Sequence, residues 1–211
     1  MTAFIGFGLF AKQIVALADI DQASPDFVVF DDVAHAKGCK LPRTLPYHAL
    51  ESNLKFISSA YVGLGYKHLA ERERVISLLH NCGIPTPSVV HGSSVVMDSA
   101  VLNTATYVYP SSIIDQNVIV GSGVVLNNRV TVSHDSVVGN CCFIAPSVTI
   151  CGNVTIGRRS FIGAGAVITN DVRIGDDVSI GAGTLVTKDV MSGVSVIGNP
   201  MRVLTSRLRL I

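Results

Sequence analysis

The chain has 211 residues and a formal net charge of +1, so no excess of basic side chains argues for a nucleic acid or an anionic membrane surface as partner. Charged residues make up 15% and apolar residues 48%, a rich apolar content that points to an unusual buried fraction or to a subunit interface. The longest apolar stretches, such as 3–11, fall far short of the roughly 20 residues a membrane-crossing helix needs.

From the N-terminus, Lys12 interrupts the first apolar run and no basic segment precedes it, which argues against a secretory leader. The five cysteines, Cys39, Cys82, Cys141, Cys142 and Cys151, show no paired metal spacing and suggest a reduced, cytoplasmic setting. TAFIGFG reads as a strand running into Gly6 and Gly8, followed by a helix from Phe10 to Ile20. FVVFDD reads as a second strand ending in Asp31 and Asp32. SAYVGLG is a third, followed by an amphipathic helix from Lys67 to Asn81. A β-α-β order with glycines at a strand's carboxyl end implies a small parallel sheet over residues 1–85. The glycine turn admits two readings: a phosphate held over its amides with base or ribose near Asp31 or Asp32, or a plain tight strand-to-helix turn.

Beyond residue 85 a period of six takes over. Every sixth residue from Val90 to Val186 is Val, Ile or Leu, 17 positions in all, and the residue four later is always small or β-branched. Gly follows this anchor at 121, 139, 157, 163, 175 and 181, which suggests tight corners needing positive φ. A period of six does not fit a helix of 3.6 residues per turn. Stacked short strands would bury a core that no single repeat buries alone.

This pattern resembles the hexapeptide-repeat left-handed β-helix, in which three hexads form one triangular coil and residues 18 apart stack. The resemblance extends to the whole chain. A small Rossmann-like half-domain before such a β-helix is similar to bacterial sugar acetyltransferases of the sialic-acid O-acetyltransferase and UDP-4-amino-sugar N-acetyltransferase type. GFGLFAKQI resembles their G-x-G-x-H-x-K opening, FDD their second-strand ending, and VSVIGNPMRVL their G-x-P-A-K close. The expected fold is therefore an α/β Rossmann-like half-domain (1–85) followed by a left-handed parallel β-helix (86–211).

The resemblance also implies chemistry. Acetyl transfer to an amine needs a base and a donor for the oxyanion. Ser133-His134-Asp135-Ser136 resembles the family's catalytic His-Asp or His-Glu pair, implying His134 as general base and Asp135 as its orienting partner. Gly152, 18 residues on, then lies one coil from His134 and is the expected oxyanion donor. Phe143, Gly152, Ala164 and Ala182 match positions that line the acetyl-CoA channel, and Gly6, Gly8, Phe10, Asp31 and Asp32 match the substrate side. Lys188 reads as a solvated lysine or a contact for the CoA phosphates. Two family histidines are replaced here, by Phe10 and Phe143, which suits a deoxy sugar with a methyl group or plain packing. Cys142 occupies an inward slot and is expected to be unreactive core.

The implied partners are acetyl-CoA and a nucleotide-linked 4-amino-4,6-dideoxy sugar. The implied assembly is a homotrimer with active sites between subunits, serving surface-glycan synthesis. No metal is expected: a zinc carbonic anhydrase on this fold needs three histidines, and only His134 lies within the coils. O-acetylation of a sugar such as sialic acid, and a non-catalytic nucleotide-binding solenoid, remain the other readings.

Overall fold

The computed structural model describes residues 1–37, 41 and 43–205; Cys39 lies outside the described residues. The chain divides into two compact units, Met1–Val89 and Val90–Ile211.

The first unit is built on a parallel sheet of order β3-β2-β1-β4, with β1 Thr2–Ile5, β2 Phe27–Phe30, β3 Thr44–Leu45 and β4 Ser59–Val62. FVVF is buried at all four positions, as expected of a parallel strand covered on both faces. Helices α1 Leu9–Leu17, α2 Asp32–Ala36, α3 Leu50–Asn53 and α4 Leu69–Asn81 complete the unit. The two-residue strand β3 has no sequence signal, because two residues carry no periodicity. Helix α1 stops three residues before the predicted Ile20: Asp19 takes a left-handed φ of 49° and the Ile20 amide closes back onto Val15 O, a Schellman-type stop. Helix α4 begins at Leu69 rather than Lys67 because Tyr66–His68 form a 3₁₀ turn first.

The second unit is a left-handed parallel β-helix. Two-residue strands stack into three parallel sheets in which partners are 18 residues apart, for example Thr131↔Thr149 and Val132↔Ile150. The first face holds Val95–Val96, Ile113–Ile114, Thr131–Val132, Thr149–Ile150, Val167–Ile168 and Leu185–Val186. The second runs from Val101–Leu102 to Arg173–Ile174, and the third from Val89–Val90 through Phe143–Ile144 to Ser195–Ile197, where Arg202–Val203 adds one antiparallel strand. The anchors from Val108 to Val186 are buried in one continuous core, whereas Val90 is exposed and Val96 and Leu102 are only partly covered. Within the second unit, the outermost coil stacks on one other coil only.

The inward small positions do more than fit. Ser112, Ser136 and Ser160 donate to carbonyls 15 residues on, Ser136 Oγ to Cys151 O at 3.0 Å, and each accepts the amide 18 residues on. Their buried hydroxyls are thereby satisfied. Cys142 fills the same slot, fully buried, with Sγ 3.0 Å from Gly157 O.

Two sequence expectations need correction. The glycines after the anchors do not supply the positive φ. That falls two residues later, at every sixth residue from Ala105 to Gly183, including Asn117, Asp135 and Asn153. The glycines are required instead by space, since a Cβ at Gly139 would stand 2.8 Å from Ile156 O of the next coil, and one at Gly163 2.5 Å from Ala182 N. The register also breaks at the end. Val190, expected in a small slot, bridges to Ile174, and Ser179 pairs with Ser195, so the last coil is 16 residues long and Val190 takes an anchor's place.

Candidate functional site

The corner between the first and second faces of the β-helix carries His134, Gly152 and Asn170 in consecutive coils. The 18-residue register stacks them, and the adjoining column is Asn117, Asp135, Asn153 and Asp171. Asp135 holds its corner in the left-handed region at φ 58°, which Asp tolerates better than most side chains.

His134 Nδ1 lies 2.8 Å from Asp135 Oδ2, and the other carboxylate oxygen accepts from Asn117 Nδ2 at 3.0 Å. With Nδ1–H donated to the carboxylate, Nε2 presents a lone pair, the arrangement a general base needs. Both side chains are more than half exposed. The His134 hydrogen bond, and then that of Asn117, hold the Asp135 carboxyl below the usual carboxylate range, so it stays ionised beside the imidazole. The edge of the ring rests on Gly152. A Cβ there would stand 2.6 Å from Cε1 and 2.7 Å from Nε2, so only glycine lets the imidazole lie where it does. The Gly152 amide is already engaged, donating to Asn170 Oδ1 at 3.2 Å. Asn117 and Asn170 were not singled out from sequence, although stepping 18 residues from Asp135 and Gly152 reaches them.

The other expected cofactor residues do not join this corner within one chain. Ala164 and Ala182 are exposed and stack on each other, but at the opposite edge of the first face. Phe143 points from the third face, is 6% exposed, and stacks on Phe161 with centroids 6.0 Å apart. Lys188 is exposed on the shortened coil.

In the first unit, the glycine turn and the carboxyl end of β2 meet at the carboxyl end of the two central strands. Gly6 requires its identity, with φ 78° and the Leu64 side chain 2.9 Å from where a Cβ would sit. Gly8 caps α1 with no side-chain hydrogen bond to its first amides, and that turn holds no acidic residue. Asp31 is fully committed: one oxygen accepts from Phe7 N at 2.8 Å, the other from Ala34 N at 2.7 Å. Asp32 is exposed and accepts from Tyr47 N at 2.8 Å. Phe10 is not at the cleft wall but lies over the Arg72 guanidinium, 5.7 Å from ring centroid to Cζ.

A cavity of about 340 Å³ opens here, lined by Gly6, Asp31, Asp32, Tyr47, Leu64, His68 and Glu71 among others. A second, of about 300 Å³, lies beyond Asp31 and is bordered by Gly8, Lys12 and Lys37. At the rim of the first, Tyr47 donates to Glu71, and Glu71 pairs with Arg74. Burial, reinforced by that hydrogen bond, pushes the Tyr47 hydroxyl up to about 12, while Arg74 holds Glu71 below the usual range. Among the described residues no group of three or more His, Cys, Asp or Glu side chains is placed to hold a metal ion, and no helix is long and apolar enough to cross a membrane.

The family described as bacterial transferase hexapeptide (six repeats) matches residues 135–170 and 153–188. No curated protein is matched by the sequence. Among solved structures, the acetyltransferase domain of PglB from Neisseria gonorrhoeae superimposes with a TM-score of 0.82 at 25% identity, covering 96% of this chain and 98% of that one. PerB from Caulobacter crescentus, in complex with CoA and GDP-perosamine, gives 0.83 at 25% identity, covering 96% of each chain. WeeI from Acinetobacter baumannii gives 0.81 at 27% identity, covering 97% of this chain and 99% of that one. The chain is thus a left-handed β-helix protein that matches the bacterial transferase hexapeptide repeat over residues 135–188 and is similar along nearly its whole length to the acetyltransferase domain of PglB and to PerB.

Proposed function

We propose that this chain is an acyltransferase that moves the acetyl group of acetyl-CoA onto the amine of a nucleotide-linked 4-amino-4,6-dideoxy sugar. The observation that carries this reading is the His134 corner: an imidazole oriented by a carboxylate through Nδ1, with its Nε2 edge laid on a glycine. Similarity to an acetyltransferase domain bound to acetyl-CoA and to a protein bound to CoA and GDP-perosamine supplies the two substrates.

In the proposed reaction the amine nitrogen attacks the thioester carbonyl, a C–N bond forms, and the C–S bond breaks. His134 Nε2 takes the proton the nitrogen sheds, and Asp135 stabilises the imidazolium. The proton then leaves with the CoA thiolate. The Gly152 amide serves the oxyanion once it exchanges its 3.2 Å bond with Asn170. In the first unit, the uncapped amides of α1 and the nearby Lys12 and Lys37 suit a diphosphate, and the cavity beside Asp32 suits base and ribose.

Ala164 and Ala182 stand one face away from His134, so a channel using both would bring one chain's corner to another's. The exposed Val95, Ile113, Val101 and Ile119 flank the His134 corner in the preceding coils. Covering them in a homotrimer would close the site between subunits. The setting is cytoplasmic, in surface-glycan synthesis.

The test is CoA release from acetyl-CoA with UDP-, dTDP- and GDP-linked 4-amino-6-deoxy sugars and with free sialic acid. Rapid turnover on one amino sugar is expected. Turnover on sialic acid alone would move the chain to O-acetylation, and no turnover with retained nucleotide binding would leave a non-catalytic solenoid.

A further inference from the structure

Arg72 is fully buried in the first unit, on α4, at 0% exposure. Sequestering a guanidinium is costly unless its donors are satisfied, and an apolar side chain of similar volume is often equally stable in such a place. Its location is therefore informative. Nη1 donates to Val62 O at 2.9 Å and to Leu64 O at 2.8 Å, the two carbonyls that bracket Gly63 where the chain leaves β4. Gly63 in turn is pressed against the glycine turn: a Cβ there would stand 2.5 Å from Gly6 O and 2.6 Å from the Ala11 Cβ. Leu64 fills the space where Gly6 lacks a side chain and lines the cavity beside Asp32. The same guanidinium sits over the ring of Phe10, in the first turn of α1, with Cζ 5.7 Å from the centroid.

We infer that Arg72 is a positioning residue for nucleotide-sugar binding, fixing the Gly6 turn, the Leu64 wall and the amino end of α1 relative to one another without touching the ligand. The inference rests on the nucleotide-sugar reading above. The Gly6 turn and Leu64, which line the first cavity, and the start of α1, which borders the second, all pack around this one side chain. Lysine cannot reproduce this, because its compact ammonium lacks the fork of donors spread over a guanidinium that bonds both carbonyls while lying over the Phe10 ring. Methionine keeps bulk and loses every polar contact.

The experiment uses the full chain with Arg72→Lys and Arg72→Met. GDP, UDP and dTDP are titrated calorimetrically, and kcat and both KM values are measured on the amino sugar that turns over. Arg72→Met is expected to raise the Kd of the bound nucleotide and the KM of the nucleotide sugar by roughly tenfold to a hundredfold. Arg72→Lys should show a smaller rise in the same direction, with kcat and the KM for acetyl-CoA held at wild-type values in both variants. An unchanged Kd in Arg72→Met overturns the inference. So does a parallel loss of kcat and both KM values with a lowered melting temperature, or failure of both variants to fold, since each marks a merely structural arginine. If the wild type itself binds none of the three nucleotides, the nucleotide-sugar reading falls first and this inference falls with it.

Discussion

Asp31 and Asp135 both end a short strand's run into a turn, and both belong to the expected site, yet the two regions use them oppositely. Asp31, at the carboxyl end of the inner strand β2, spends both oxygens on backbone amides, those of Phe7 and Ala34. It holds the glycine turn against the start of α2. Asp135, at the β-helix corner, offers its oxygens to two side chains, His134 and Asn117, and stands in solvent. A carboxylate bound by backbone builds the fold, while one bound by an imidazole is free to act on chemistry. The α/β unit thus spends Asp31 on its own backbone, whereas the β-helix hangs His134 and Asp135 side by side on a rigid, repeated frame.

The sharpest way to break this comparison is Gly152→Ala. The added methyl collides with the far end of the His134 ring and with nothing in the backbone. Displacing the imidazole by about an ångström should cost on the order of 10²-fold in kcat, while far-ultraviolet dichroism and melting temperature stay at wild-type values. A full-rate Gly152→Ala would mean that the resting position of the ring is irrelevant to the reaction.

Next in size is the exchange of the two aspartates. Asp31→Ala loses a helix cap and leaves a partly buried amide unpaired, so unfolding should become easier by about 1–3 kcal/mol. Asp135→Asn should change denaturant unfolding far less than Asp31→Ala yet lower kcat at least about tenfold. If the two variants behave alike in both assays, the division of labour is wrong.

The smallest effect is a titration. Because the His134 bond is the larger cause of the lowered Asp135 value and Asn117 the next, carboxyl chemical shifts should place the Asp135 midpoint higher in His134→Ala than in Asn117→Ala, and both above wild type. The sign follows from linkage: a depressed carboxylate contributes its stabilisation above the unfolded value and loses it as pH falls through the folded one. The His134–Asp135 contact therefore survives acidification that would neutralise an ordinary aspartate.

The β-helix was legible because a strict period leaves each residue one environment. The anchors and the inward small slots follow from counting, and the stacking of Gly152 beside His134 follows from the three-hexad coil that the family resemblance implied. What counting misassigned was the reason for the corner glycines, since a sequence displays a small residue but not whether φ or the next coil demands it. It also missed the two-residue contraction that puts Val190 in an anchor's place, because Val suits either slot. In the α/β unit each contact occurs once. Gly6, Asp31 and the second strand's end were readable as types, but nothing in the sequence says that Asp31 is spoken for or that Phe10 packs on Arg72. The cavity residues Tyr47, His68 and Glu71 come from distant stretches and carry no pattern.

The most direct test of the central claim, that the His134 corner is the reacting centre, is the rate of CoA release by His134→Ala beside wild type on the amino sugar that turns over. The account predicts a loss of roughly 10²- to 10⁴-fold with the fold and nucleotide binding retained. A variant that keeps the wild-type rate would contradict it and move the chemistry to another part of the molecule.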